Sequence, residues 1–261
     1  MPIRKLLSLK HGSAAVLDGP LYDIGDGPVT IPAGGTAYVT GEGDDTITMG
    51  EGSTVVLDTA NIINPNGPAI VCTGNATIAF NNDVTLGTTR SKIAAISVGP
   101  PGTTVTLQGT GVLELIAGTD CAAIGTDKGS TVGNIVILSG TIIATGSANG
   151  AAIGAGKNGT CGDITISGGY LTVTGGSDGA AIGACKNGGC GNITITGGTI
   201  YAIGGARAPG IGGAANSSVG TITITTGVTL VNSTKGSGAS VSIGGGGATV
   251  NIASGANAVQ N

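Results

Sequence analysis

Apolar and polar residues alternate over short stretches of this chain, break at glycine, and begin again at a fixed interval. Ile164-Thr165-Ile166, Ile193-Thr194-Ile195 and Ile222-Thr223-Ile224 each place two β-branched residues on one side of an extended strand and a threonine on the other. The surrounding phrases open with Ala122-Ala123-Ile124, Ala151-Ala152-Ile153 and Ala180-Ala181-Ile182, with a degraded copy at Pro209, so each copy follows the last at one constant offset. Aligning the copies gives apolar columns: Ile124, Ile153, Ile182 and Ile211; Ile135, Ile164, Ile193 and Ile222; Ile137, Ile166, Ile195 and Ile224; Ile142, Leu171 and Ile200. Nowhere does a helical period emerge. A period in the twenties predicts a stacked architecture, because one such unit is too small to bury its own apolar side.

Glycines fall in columns as well, at Gly125, Gly154, Gly183 and Gly212 and at Gly133, Gly162, Gly191 and Gly220. Between strands such columns predict corners, where the backbone needs positive φ or where successive turns approach too closely for a Cβ. Strand and corner three times over fit one period, so each unit is read as one turn of a three-sided coil of about 26–30 residues. Stacked in parallel about 4.8 Å apart, the turns pair edge to edge with the isoleucine columns inside. Weaker copies reach back through Ala94-Ala95-Ile96 and Pro68-Ala69-Ile70 to irregular opening turns at Thr46-Ile47-Thr48 and Thr54-Val55-Val56-Leu57. Roughly seven or eight turns give a rod on the order of 35–40 Å long. The expected organisation is an N-terminal arm and cap over 1–30, the solenoid over 31–239, and an uncapped last turn and tail over 240–261.

Composition agrees with a rod in place of an aromatic-filled globule: 53 of 261 residues are glycine, with one phenylalanine and no tryptophan. Glycine does not fall at every third position, which excludes collagen. The net charge of −4 is unevenly spread. Arg4, Lys5 and Lys10 make the first residues basic; from 12 to 89 there are acids such as Asp18, Asp23 and Asp26 and no lysine or arginine; after Lys235 no charge follows. An acidic chain without a basic patch argues against nucleic-acid binding. No apolar run approaches the ~18 residues needed to span a bilayer, so no membrane insertion is expected. The opening MPIRKLLSLKHG has the basic start of a secretion signal, but Ser8, Lys10 and His11 interrupt its apolar run.

The phrases GAAIG…NGTCGDITISGG and GAAIG…GGCGNITITGG, between Gly150 and Gly213, resemble the Gly-rich β-solenoid repeats of bacterial surface and carbohydrate-binding-domain proteins, a group similar to the pectate-lyase-like right-handed parallel β-helix. The resemblance implies an all-β, single-stranded right-handed parallel β-helix. It says little about activity, since the matching residues are those that build the coil.

Polysaccharide cleavage on such a coil requires convergent carboxylates, with calcium and a basic residue for a lyase. Asp163 stands between Asn134 and Asn192 in its column, while Asp120, Asn149, Asp178 and Arg207 share another, with the two acids about 10 Å apart; both sets read more simply as solvated corners. Glu42, Asp44 and Asp45 form an acidic turn without a calcium-loop spacing, and His11 is the only histidine. No catalytic residue, metal or cofactor is expected. Lys128, Lys157 and Lys186 repeat in register, a solubilising column that discourages edge pairing. Thr165, Thr194 and Thr223, with Ser167, Thr196 and Thr225, form an outward array like that of ice-binding solenoids, or simply a set of good strand residues. Of five cysteines, Cys161 and Cys190 occupy one column and are the preferred disulfide, with Cys185–Cys190 as the local competitor.

The expected function is structural: a non-enzymatic subunit of an extracellular fibre, appendage or coat, at a cell or particle surface, whose partner is a second copy of itself in a head-to-tail homopolymer. The uncharged, strand-like end around Val250 and Ile252 looks made to be covered, with the acidic N-terminal turns or the basic arm of Arg4, Lys5 and Lys10 as covers. The alternative is an adhesin or phage receptor-binding module whose partner is a polysaccharide, using Tyr170 and Tyr201.

Overall fold

The structure is a computed structural model that describes residues 18–261, together with the backbone of Leu7–Ser8 and Ala14–Ala15, which pair antiparallel. Arg4, Lys5 and Lys10 lie outside the described residues. From Leu21 onward the chain winds as a parallel β-solenoid of about seven turns of roughly 29 residues, preceded by shorter opening turns. The three faces follow one another in each turn. The first is a nine-stranded sheet running from Val29–Ile31 to Ile243–Gly244. The second includes Ala76–Phe80, Thr104–Gly109, Asn134–Ile137, Ile164–Ile166, Ile193–Ile195, Thr221–Ile224 and Thr249–Ile252, and the third runs from Val84–Thr88 to Ala258–Gln260. Ser53–Asn64 turns the corner between these two, pairing with Ala76–Phe80 through its first half and Val84–Thr88 through its second. A short third sheet, Thr160–Cys161, Gly189–Cys190 and Ser218–Val219, lines the corner between the first and second faces.

The columns read from the sequence are the ladders of the core. Ile135 pairs with Ile164, Ile164 with Ile193 and Ile193 with Ile222, and all four are fully buried. The ladder extends backward through Val105 and forward to Val250. Stacking identical branched side chains every turn lets each fill the gap beside the next, so a slender interior packs without aromatic bulk. The second and third faces alternate residue by residue, dry apolar side chains in and mostly polar ones out, with Ile116, Ile143 and Ile203 as outward exceptions on the third, as period-two strands with one dry side do.

Turn length is not constant. Along the first face Val29 pairs with Ile47 and Ile47 with Ile70, both well short of a regular turn. The spacing then settles, with Ile124 paired to Ile153 and Ile153 to Ile182, and it lengthens slightly at the end, where Ile211 pairs with Ile243. The solenoid therefore starts ahead of residue 31 and tapers toward its N-terminal tip, where Ile24, Val29 and Ile31 are almost completely buried.

Both glycine columns are corners, for different reasons. Gly125, Gly154, Gly183 and Gly212 have φ between 125° and 138°, and a Cβ on any of them would collide with the backbone of the next turn. Gly191 has ordinary φ, and what excludes its Cβ is the Asp163 carboxylate of the turn before.

Candidate functional site

Two polar ladders run up the corners, and they contain every acid the sequence offers for chemistry in the regular turns except Asp127 and Glu114. In the first, each side-chain oxygen accepts a backbone N–H from the following turn. Asn75 accepts from Thr104 (2.7 Å), Asn134 from Asp163 (2.8 Å), Asp163 from Asn192 (2.7 Å) and Asn192 from Thr221 (2.9 Å). Glu51 begins it, taking both the side-chain and backbone N–H of Asn75, which hold its carboxyl below the usual range. Asp163 is thus one rung of an asparagine-type ladder that satisfies corner donors.

The second ladder is ionic. Asp120 accepts from the Asn149 amide and from Lys128 Nζ at 2.8 Å. One turn beyond Asn149, Asp178 is gripped by Arg207 through two guanidinium nitrogens, with Nη2 at 2.7 Å. Hydrogen bonds from Lys128 and Asn149 hold Asp120 below the ordinary carboxylate range, and Arg207 does the same for Asp178. Neither acid carries a proton to donate near neutrality. A carboxyl whose folded value is depressed contributes stability above its unfolded value and loses it as pH falls through the folded one. Melting temperature should accordingly hold from neutrality down to about pH 4.5 and fall below it. Arg207→Ala should flatten that fall, which thermal scans by circular dichroism from about pH 7 to about pH 2.5 will test.

The lysine column is only in part free in solvent: Lys128 is the partner of Asp120, whereas Lys186 is exposed. Beside Lys128, Lys157 and Lys186 lie residues in left-handed conformation, Gly129, Asn158 and Asn187, and the column continues one turn on at Asn216, which follows Ala215, with φ from 56° to 76°. The repeated Lys-Asn-Gly phrase was the available signal for this turn, since asparagine tolerates that region better than other non-glycine residues.

All five cysteines are buried thiols. Cys161 and Cys190 face each other in register on adjacent strands, in a column continued by Val132 and Val219, so they fill positions that small hydrophobes fill elsewhere. Burial pushes the Cys72, Cys121 and Cys185 thiols up to about 12, and the contact with Cys161, then burial, raises Cys190. A folded protein should react with dithionitrobenzoate at least tenfold more slowly than the same protein in guanidinium. After oxidation, non-reducing peptide mapping should find Cys161 joined to Cys190; a Cys185–Cys190 peptide would refute that pairing.

The outward threonine column is longer than three turns, because Thr165 is preceded in register by Val136, Thr106, Thr77 and Thr54. On the third face, Tyr170 and Tyr201 meet with ring centroids 5.7 Å apart and planes tilted by 50°. A shallow cleft lies nearby, lined by Glu114, Ile116, Ile143, Thr145 and Ser147. From Val112 to Thr234 the outward positions of this face carry one ionisable carboxyl, Glu114, among threonines and exposed Ile116, Ile143 and Ile203.

At the C-terminal end the core is open. Val250 continues the ladder of fully buried Ile222 yet is 38 % exposed, and Ile252 is half-buried. The N–H of Ile135 donates to Asp163 one turn on, and that of Ile164 to Asn192. By the same geometry the N–H of Val250 points along the rod away from the molecule.

No group of three or more metal-ligating side chains forms among the described residues, and no helix there is long and apolar enough to cross a membrane. No protein-family model, curated protein or solved structure matches the chain, so its architecture is established by its own strand pairing: a parallel β-solenoid with three sheets.

Proposed function

We propose that this chain is a non-enzymatic structural β-solenoid subunit of an extracellular fibre, appendage or coat, and that it assembles end-on through open strand edges. The observation that carries this reading is the state of the last turn: the Val250 side chain is exposed where its counterpart one turn earlier is dry. An edge with free backbone donors and apolar side chains is a template for another strand. Copies stacked head-to-tail extend into a filament, and two like ends close into a pair. Light scattering with negative-stain microscopy over a hundredfold concentration range tests the reading. Species larger than a monomer, diminished by Val250→Pro, are the expected result. A strictly monomeric protein at the highest concentration would refute it.

A second reading draws on the third face. A polysaccharide-binding surface, of the kind an adhesin or phage receptor-binding module uses, would stack sugar rings on Tyr170 and Tyr201 and hydrogen-bond them through Glu114 and the threonine hydroxyls. A glycan array probed with the wild-type chain and with Tyr170→Ala/Tyr201→Ala decides it: binding lost in the double variant supports the reading, and an array without signal removes it.

A further inference from the structure

We infer that the surface completing the open C-terminal edge is the same edge of a second copy, so that two rods join tail-to-tail about a two-fold axis. This rests on the end-on assembly proposed above and narrows it from an open head-to-tail filament to a closed pair of rods. Three features of the two ends lead here. Size is the first: along the first face the coil at the N-terminal tip closes within the short interval from Val29 to Ile47, whereas the one at the C-terminal end takes the whole stretch from Ile211 to Ile243. Seating the wide coil on the narrow one would leave much of the wide edge unpaired, whereas two C-terminal coils have the same outline.

Charge is the second. The N-terminal tip exposes Asp18, Asp23 and Asp26, and pressing these carboxylates against an apolar edge costs their hydration, with no lysine or arginine among the described residues before Arg90 to offset it. After Lys235 the chain has no ionisable side chain, so the like contact brings neither side-chain repulsion nor a buried side-chain charge. Core exposure is the third: Ile24, Val29 and Ile31 at the tip are already at 1–3 % exposure and gain little from a cover, while Val250 at 38 % still has apolar surface to bury.

The symmetry suits the backbone. A two-fold axis perpendicular to the rod reverses the sense in which the coil circulates, so abutting strands run antiparallel, with the outward N–H and C=O groups of Val250 and Ile252 facing their counterparts. An isologous contact of this kind closes on itself and stops at two copies. One coil's end is smaller than a standard protein interface, so the pair should form in the micromolar range or weaker.

Sedimentation of the full chain from about 1 μM to about 1 mM, with cross-linking of Ser254→Cys by a short bis-maleimide, tests the inference. Ser254 is exposed on the last turn, and the native thiols are buried. Expected are a monomer–dimer equilibrium with no larger species, a covalent dimer through position 254, and at least a tenfold weaker dimer in Val250→Pro, whose lost N–H points out of the rod and leaves the internal ladder intact. Filaments or a ladder of oligomers, without a 254–254 link, would overturn tail-to-tail pairing while keeping end-on assembly. A monomer at every concentration would overturn both. A dimer that resists Val250→Pro and does not link at 254 would place the contact elsewhere on the rod and also overturn the inference.

Discussion

Ile193→Asp is expected to abolish cooperative folding of the regular turns. Ile193 is fully buried between Ile164 and Ile222. Removing a buried branched side chain costs about 2–5 kcal/mol by itself. A carboxylate in its place would meet isoleucine on either side, with no cation among them, and adds several kcal/mol whether it ionises or takes up a proton. Total stabilities of about 5–15 kcal/mol leave little after such a loss. Because each turn contacts only its neighbours, the damage should divide the rod at this point. Limited proteolysis is the sensitive readout: cleavage near residue 193 should appear at protease levels that leave the wild type intact. Ile193→Val, which keeps the column, should cost about 0.5–1.5 kcal/mol in urea unfolding and leave the digest unchanged. A protease-resistant, cooperatively melting Ile193→Asp protein would show that this column does not form the core.

The regular turns were legible in the sequence because every one of their constraints repeats. A ladder such as Ile135, Ile164, Ile193 and Ile222 requires one apolar residue per turn at one offset, and glycine columns such as Gly125 to Gly212 require a missing Cβ at another; both print the same period. The opening turns lost that period because the coil narrows: Thr46-Ile47-Thr48 and Thr54-Val55-Val56-Leu57 could be read only as irregular turns, and with Val29 already paired to Ile47, no offset read from the later copies reaches Val29–Ile31. The polar ladders were half visible. Asn134, Asp163 and Asn192 align by eye, but their alignment alone does not separate a hydrogen-bonded ladder from a solvated corner; the backbone N–H that each oxygen accepts belongs to another turn. Likewise Asp120 and Asp178 could be placed in one column from spacing, whereas their capture by Lys128 and Arg207 depends on side-chain direction at the corner. The open C-terminal edge lies between these cases. Uncharged composition after Lys235 suggested it, and the exposure of Val250 gives it a physical measure.

Gly183→Ala should be nearly as damaging as a charge in the core, although it adds a single methyl group. Gly183 has φ of 125°, outside the range a side-chain-bearing residue adopts without strain, and its Cβ would lie inside the contact distance of the Gly212 carbonyl and 3.2 Å from Ile193 Cδ1. Backbone strain of this kind costs on the order of 1–3 kcal/mol. The collision cannot be relieved by a rotamer change, because the obstructing atom belongs to the backbone of a paired strand, so Gly183–Gly212 pairing has to open. Gly129 provides the control. It too has positive φ, 76°, but a Cβ there meets nothing within 4 Å, and its counterparts one, two and three turns on are Asn158, Asn187 and Asn216. Gly129→Asn should therefore leave stability within about 0.5 kcal/mol of the wild type or raise it, since glycine's freedom in the unfolded chain is lost. Urea unfolding of the two variants side by side compares two positive-φ positions of different kinds. A large loss at Gly183 with none at Gly129 means that the first-face corner demands glycine through its φ near 125° together with the close stacking of turns, and equal losses would mean that positive φ of any kind does.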